Sequence, residues 1–238
     1  MARRALLTTL VALGAALPVL GGQAVQVAAA DSTSVAARSA RSALHAGTVT
    51  AEEAAALAIV SDGRPRLARL SIPAIGLRAV TVVPYRGWTD DGPGTRIQDR
   101  GVAASPHGPR GGVGPGGLGN YQVTAHRTSS TAAFRLLPSL REGQQAVVTV
   151  DGVRYVYEIR QTRETSFRSP RSLAEQRAAV PGRPGVSPTR AFLTLSTCAT
   201  LEDHAAGNYW ADEFHNPEHR IDKIGVLVRQ ERLPGGAA

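Results

Sequence analysis

Short runs of alternating or β-branched side chains dominate the chain from residue 67 onward. Leu67–Ile72 alternates apolar and polar residues and Ala79–Val83 is rich in β-branched ones. Tyr121–Ala125, Gln145–Val150, Arg154–Gln161, Ala191–Thr197 and Ile221–Arg229 repeat the pattern. Each run predicts a strand with one face in a core. Pro73 and Gly76 mark a bend between the first two runs, and Asp151-Gly152 separates two others with a dipeptide suited to a two-residue hairpin turn. The one helical candidate in this part is Arg171–Ala179, entered through Ser169-Pro170, because proline fits the first turn of a helix. Many short strands with few helices predict a mainly β domain, either a closed barrel or a sandwich.

The pattern weakens in two places. Gly87–Gly119 is crowded with glycine and proline, and Gly108–Gly117 holds eight Gly or Pro close together. A phosphate-cradling loop needs a following Lys-Ser/Thr or a helix start at the right offset, and neither is present, so the reading is a flexible surface loop. The N-terminus is different again. Arg3 and Arg4 precede an apolar stretch from Ala5 to Leu20, and Ala28-Ala29-Ala30 stands before Asp31. Residues 1–30 therefore read as a cleaved signal peptide or a retained membrane anchor, and both deliver the rest of the chain outside the cytoplasm. Residues 31–66 form an Ala/Ser/Arg-rich stalk, helical or disordered, with a capping-box start at Thr50-Ala51-Glu52-Glu53. Residues 67–230 make the β domain, and 231–238 a flexible tail.

Composition narrows the partners. The chain has 238 residues, 42% of them hydrophobic, enough for one core. Its net charge of +8 comes almost wholly from arginines scattered along the chain, since Lys223 is the single lysine. No dense basic block or interleaved aromatic run marks a nucleic-acid surface, so none is expected.

Candidate chemistry centres on Cys198, the single cysteine, which ends the apolar Ala191–Thr197 run. One thiol has no internal disulfide partner, and in an exported protein an unpaired thiol points to reactivity. A thiol near its ordinary pKa of about 8.5 is mostly protonated at neutral pH, so nucleophilic catalysis needs a base, and acyl transfer needs an oxyanion donor. Of the six histidines, His126 alone terminates an apolar alternating run, where a strand holds an imidazole in place. Arg220 lies just before the last β run, with Glu218 and Asp222 as ready surface partners. A zinc site from Cys198, His204, His215 and His219 is the competing reading. Asn216-Pro217 breaks any shared helix face between the last two histidines, and no second cysteine exists, so neither metal nor cofactor is expected.

Taken in order, five blocks resemble the sortases, the cell-surface cysteine transpeptidases. They are Leu70–Leu77, Gly119–Arg127, Phe134–Gly143, Leu193–Cys198 with its Thr-Leu-x-Thr-Cys pattern, and His219-Arg220. The Asn120-Tyr121 and Phe134–Leu137 contexts are most similar to the actinobacterial class E sortases. The resemblance implies a closed eight-stranded β-barrel with one or two short helices. It implies His126 as catalytic histidine, Cys198 as nucleophile and Arg220 as catalytic arginine. It also implies cleavage of a Leu-(Pro or Ala)-x-Thr-Gly sorting signal between Thr and Gly on a surface protein, with transfer to a cell-wall precursor or pilin amine. An exported cysteine endopeptidase that only hydrolyses, or an exported binding module without activity, are the alternatives. Ala125 departs from the glycine that many members carry before the histidine. Arg127, adjacent to His126 on an expected strand, should face away from the site. Asp203, His204, Tyr209 and Trp210 should lie in the connection between the last two strands, beside the substrate groove.

Overall fold

Pro73 opens a single 3-10 turn, Pro73–Ile75, and Gly76 closes it at φ 70°, a left-handed value that glycine takes without steric cost. Strand β1 (Ala68–Ile72) thereby folds back antiparallel onto β2 (Leu77–Arg86). This hairpin stands near the start of residues 61–234, the part that the structure, a computed structural model, describes. The targeting segment 1–30, the stalk through residue 60 with its Thr50–Glu53 helix start, and residues 235–238 of the tail lie outside the described residues.

After β2 come α1 (Gly92–Gln98), β3 (Ala103–His107), β4 (Gly119–Thr124), β5 (Gln145–Val150), β6 (Val153–Ser166), α2 (Pro170–Arg177), β7 (Ala191–Cys198), α3 (Thr200–Ala205) and β8 (His219–Arg232). The eight strands close into a barrel in the order β1-β2-β3-β4-β7-β8-β6-β5. Closure removes free sheet edges, which is how an antiparallel-rich sheet avoids exposing unpaired backbone. Asp151 and Gly152 take φ 48° and 71°, the positive values that a tight β5–β6 hairpin demands. Two contacts run parallel, β2 with β3 and β4 with β7.

Leu70, Ile72, Val82, Tyr121, Val123, Leu193, Leu195, Tyr157 and Ile159 fill the barrel, and Phe134, Leu137 and Leu140 plug it from the β4–β5 connection. In β1 burial alternates as the sequence suggests. In β4 every residue is buried, polar ones included, because the outer face is covered too. Asn120 donates to the Gln176 and Ala178 carbonyls of the α2 region, and Gln122 accepts from Thr89 of the β2–α1 loop. A buried polar face is stable when it is hydrogen-bonded in this way.

The stretch Gly87–Gly119 is not a flexible surface loop. It contains α1 and β3, and its glycines are packed. Asp91 caps α1 by accepting from the Gly94 amide at 2.8 Å. A Cβ on Gly114 would stand 1.9 Å from the Arg64 carbonyl oxygen, and one on Gly112 would stand 2.1 Å from that of Asn120. These glycines permit close backbone approach rather than mobility. Ser61 and Gly63 of the stalk's end lie against the same stretch, with Ser61 donating to the Pro115 carbonyl and Gly63 accepting from the Gly114 amide. At the other end β8 runs through Arg232, two residues into the expected tail.

Candidate active site

Strand register collects the expected site residues at one end of three adjacent strands. The parallel β4–β7 pairing ends at Thr124 opposite Ser196. It is extended by the Ala125 amide donating to the Ser196 carbonyl at 3.4 Å, and by the Thr197 hydroxyl donating to the Ala125 carbonyl at 2.9 Å. His126 follows directly, two residues past the end of β4, while Cys198 is the last residue of β7. On the other side of β7, Cys198 is paired with Arg220 of β8. Paired positions project to the same face, so Cys198 and Arg220 share a side of the sheet.

Cys198 is a partly accessible free thiol. Burial pushes its pKa above the ordinary thiol value; the Arg220 and Arg127 charges oppose that rise, while Asp90 and Asp212 add to it. The neutral thiol is thus the favoured resting form.

Arg220 is not a surface ion-paired arginine. It is 0% exposed, and its partner is Asp90, whose Oδ2 accepts from Nε at 2.7 Å. Nη1 donates to the Pro217 carbonyl at 2.9 Å and the His219 carbonyl at 3.2 Å, and the guanidinium lies 4.1 Å over the Phe167 ring. Nη2 is buried with no hydrogen-bond partner among the described residues. Burial alone would lower the pKa of Arg220, but Cys198 and Asp90 raise it, so the charge is secure. The nearby acids are engaged elsewhere: Glu218 accepts from Ser166 and Asn208, and Asp222 accepts from Thr165 and Gln176.

His126 places Nε2 2.9 Å from Oδ1 of Asp99, the residue that ends α1. Arg127 engages a different element from His126. Its Nη1 donates to the Cys198 carbonyl at 3.3 Å, and both terminal nitrogens hold the Glu202 carboxylate of α3. β4 stops at Thr124, so His126 and Arg127 lie beyond the strand on which the alternation argument was made. Even so, Arg127 touches the cysteine's backbone and not its thiol. Asp90 and Asp99 have no counterpart in the sequence reading. The Asp91-Gly92-Pro93 cap that holds the intervening helix was the available signal.

The residues of the zinc alternative are dispersed into other contacts. His219 Nδ1 lies 2.6 Å from the Asp203 carboxylate, and His204 stacks beside Tyr209 with ring centroids 4.9 Å apart. Among the described residues no group of three or more His, Cys, Asp or Glu is arranged to hold a metal ion. Asp203, His204, Tyr209 and Trp210 do lie in the β7–β8 connection, the first two within α3.

The same architecture recurs in known structures. The Sortase domain family matches residues 70–211, more than half of the chain. The SrtA sortase from Actinomyces oris superposes with a TM-score of 0.53 at 17% identity, over 74% of this chain and 90% of that one. Sortase E from Streptomyces avermitilis gives 0.52 at 20% identity, covering 75% and 97%. Sortase E1 from Streptomyces coelicolor, solved with a tripeptide in its active site, gives 0.51 at 21% identity, covering 73% and 94%. These likenesses support the fold. No curated protein matches the sequence. With the domain match covering more than half of the chain and including both His126 and Cys198, the chain belongs to the sortase family of cysteine transpeptidases.

Proposed function

We propose that Cys198, His126 and Arg220 carry out transpeptidation on a C-terminal sorting signal of the Leu-(Pro or Ala)-x-Thr-Gly type. The observation that carries this reading is the register that pairs Cys198 with Arg220, with His126 just past the end of the neighbouring strand β4. Cys198 Sγ attacks the threonine carbonyl as its proton passes to His126. The oxyanion that forms is held by Arg220, whose Nη2 is the guanidinium nitrogen without a protein partner. Collapse breaks the Thr–Gly C–N bond, the glycine amine leaves with the proton from His126, and the acyl group stays on sulfur as a thioester. An acceptor amine on a cell-wall precursor or pilin then attacks the thioester, gives its proton to His126, and releases the thiol.

The raised thiol pKa favours a neutral thiol at rest, so proton transfer accompanies attack. The N-terminal segment 1–30 would place the enzyme outside the cytoplasm, at or on the membrane where such substrates emerge. Among the described residues no helix is long and apolar enough to cross a membrane. Mass spectrometry of a sorting-signal peptide incubated with the protein and an amine tests the proposal. A ligated product is expected. Release of the free threonine acid alone would make the protein a hydrolase, and an untouched peptide would reject this signal as its substrate.

A further inference from the structure

Two carboxylates flank the seven-residue helix α1, and each meets a different member of the proposed site: Asp90, just before the helix, meets Arg220, and Asp99, at its end, meets His126. We propose that the Asp90–Asp99 segment is the orienting element of the site, with Asp90 and Asp99 as positioning residues for the arginine and the histidine. The inference rests on the roles proposed above for Cys198, His126 and Arg220.

The geometry at Asp90 is specific. A carboxylate that only neutralised a buried guanidinium would do so best through a two-pronged fork that occupies two nitrogens. Asp90 instead gives one oxygen, Oδ2, to Nε alone, while Oδ1 accepts from Gln98 Nε2 at 2.8 Å. Nη1 is taken by the Pro217 and His219 carbonyls, so the one nitrogen left over is Nη2. The guanidinium is therefore held through Nε and Nη1, with Nη2 the one nitrogen to spare, on the strand position paired with Cys198.

The platform beneath Asp90 is itself fixed. Asp90 has φ 56°, a left-handed conformation that costs energy in a non-glycine residue and persists where neighbours enforce it. Those neighbours are identifiable: Asp91 accepts from the Trp88 and Gly94 amides, Tyr85 donates to the Trp88 carbonyl, and Asn216 Nδ2 donates to the Asp90 carbonyl. Gln98 and Asp99 are consecutive, so the helix turn that steadies Asp90 also carries the carboxylate that meets His126. One rigid helix thus couples the orientation of both partners across the thiol.

A double-mutant cycle tests the arginine end. Asp90→Asn should lower kcat/KM for thioester formation about ten- to a hundred-fold, carried by kcat, yet change it less than about two-fold in an Arg220→Lys background. Gln98→Ala, which loosens Asp90 while keeping its charge, should show the same dependence with a smaller loss and a folded protein by circular dichroism. Equal losses in both backgrounds would mean a general structural role and overturn the assignment. At the histidine end, Asp99→Asn should lower kcat several-fold at constant KM and move the imidazole ¹⁵N resonances of His126. Unmoved resonances would overturn that end. The underlying reading fails separately: wild-type rates in Cys198→Ala or in Arg220→Lys would reject the site itself and not its positioning.

Discussion

At the scale of single residues, the chemistry proposed here separates groups whose loss stops the reaction from groups whose loss loosens the protein. Cys198→Ala and Cys198→Ser should abolish turnover while leaving the melting temperature within a few degrees, because a small side chain remains at a partly accessible position. Residual ligation by the alanine variant, measured by mass spectrometry, would exclude Cys198 as nucleophile. The two arginines make a sharper pair. Arg220→Lys removes the planar fork that spans Asp90, Pro217 and the free Nη2 direction, so kcat/KM should fall about a hundred-fold, within the range for losing one oxyanion donor. Arg127→Lys loses a two-pronged contact to Glu202, which holds that carboxyl below its ordinary range through the Arg127 hydrogen bonds. The expected result is a loss of about 1 kcal/mol in stability and at most a few-fold loss in rate, since Arg127 reaches the Cys198 carbonyl and not its thiol. A lysine tolerated at 220 beside a dead enzyme with lysine at 127 would exchange the two roles. His126 and Cys198 were legible as candidates because each follows a recognisable strand run, while Arg220 was singled out by the family resemblance. Asp90 and Asp99 were not, because nothing local distinguishes a carboxylate that will meet an arginine 130 residues away from one that will face water.

At the scale of elements, connections hold the site together, and two of them yield stability tests. The β7–β8 connection is pinned where α3 meets β8: Asp203 accepts from the His219 amide and ring, one residue before Arg220. Burial alone would lower the pKa of His219, but the Asp203 hydrogen bond, with Glu164 and Glu218 close by, raises it. A raised histidine pKa contributes stability that is full below the unfolded value of about 6.5 and is lost as pH rises through the higher folded value. The melting temperature should therefore decline as pH rises above about 6.5, and His219→Gln should flatten that slope. An unchanged slope in the variant would place the titrating group elsewhere. The second test concerns Gly87–Gly119. A methyl on Gly114 meets the Arg64 carbonyl oxygen at 1.9 Å, so Gly114→Ala should cost about 3 kcal/mol in a denaturant titration. Gly143→Ala has open space instead and bears only the strain of φ 81°, for a loss of about 1 kcal/mol. Glycine and proline density reads as flexibility in a sequence, but it equally serves close backbone packing, and spacing alone does not separate the two.

At the scale of the whole molecule, barrel closure makes the site, and no metal bond is assigned to the structure's stability. Treatment with EDTA should leave both the melting temperature and ligation unchanged, because His219 is engaged by Asp203 and His204 stacks on Tyr209. A chelation-induced drop in melting temperature restored by zinc would reinstate the metal reading. The strands themselves could be read from the chain, since period-2 burial, the Pro73–Gly76 bend and the Asp151-Gly152 hairpin are properties of neighbouring residues. The motif order likewise determined the family and its barrel. Which strands become neighbours was another matter. The parallel β2–β3 and β4–β7 contacts join segments separated by other structure, and they follow from closing eight strands around one core. Local patterning determined that strands exist and where the proposed site residues sit relative to them. Only the packed barrel decided that α1 lies between two strand ends with a carboxylate for each, because that depends on how distant segments exclude water together, and no stretch of sequence carries it alone.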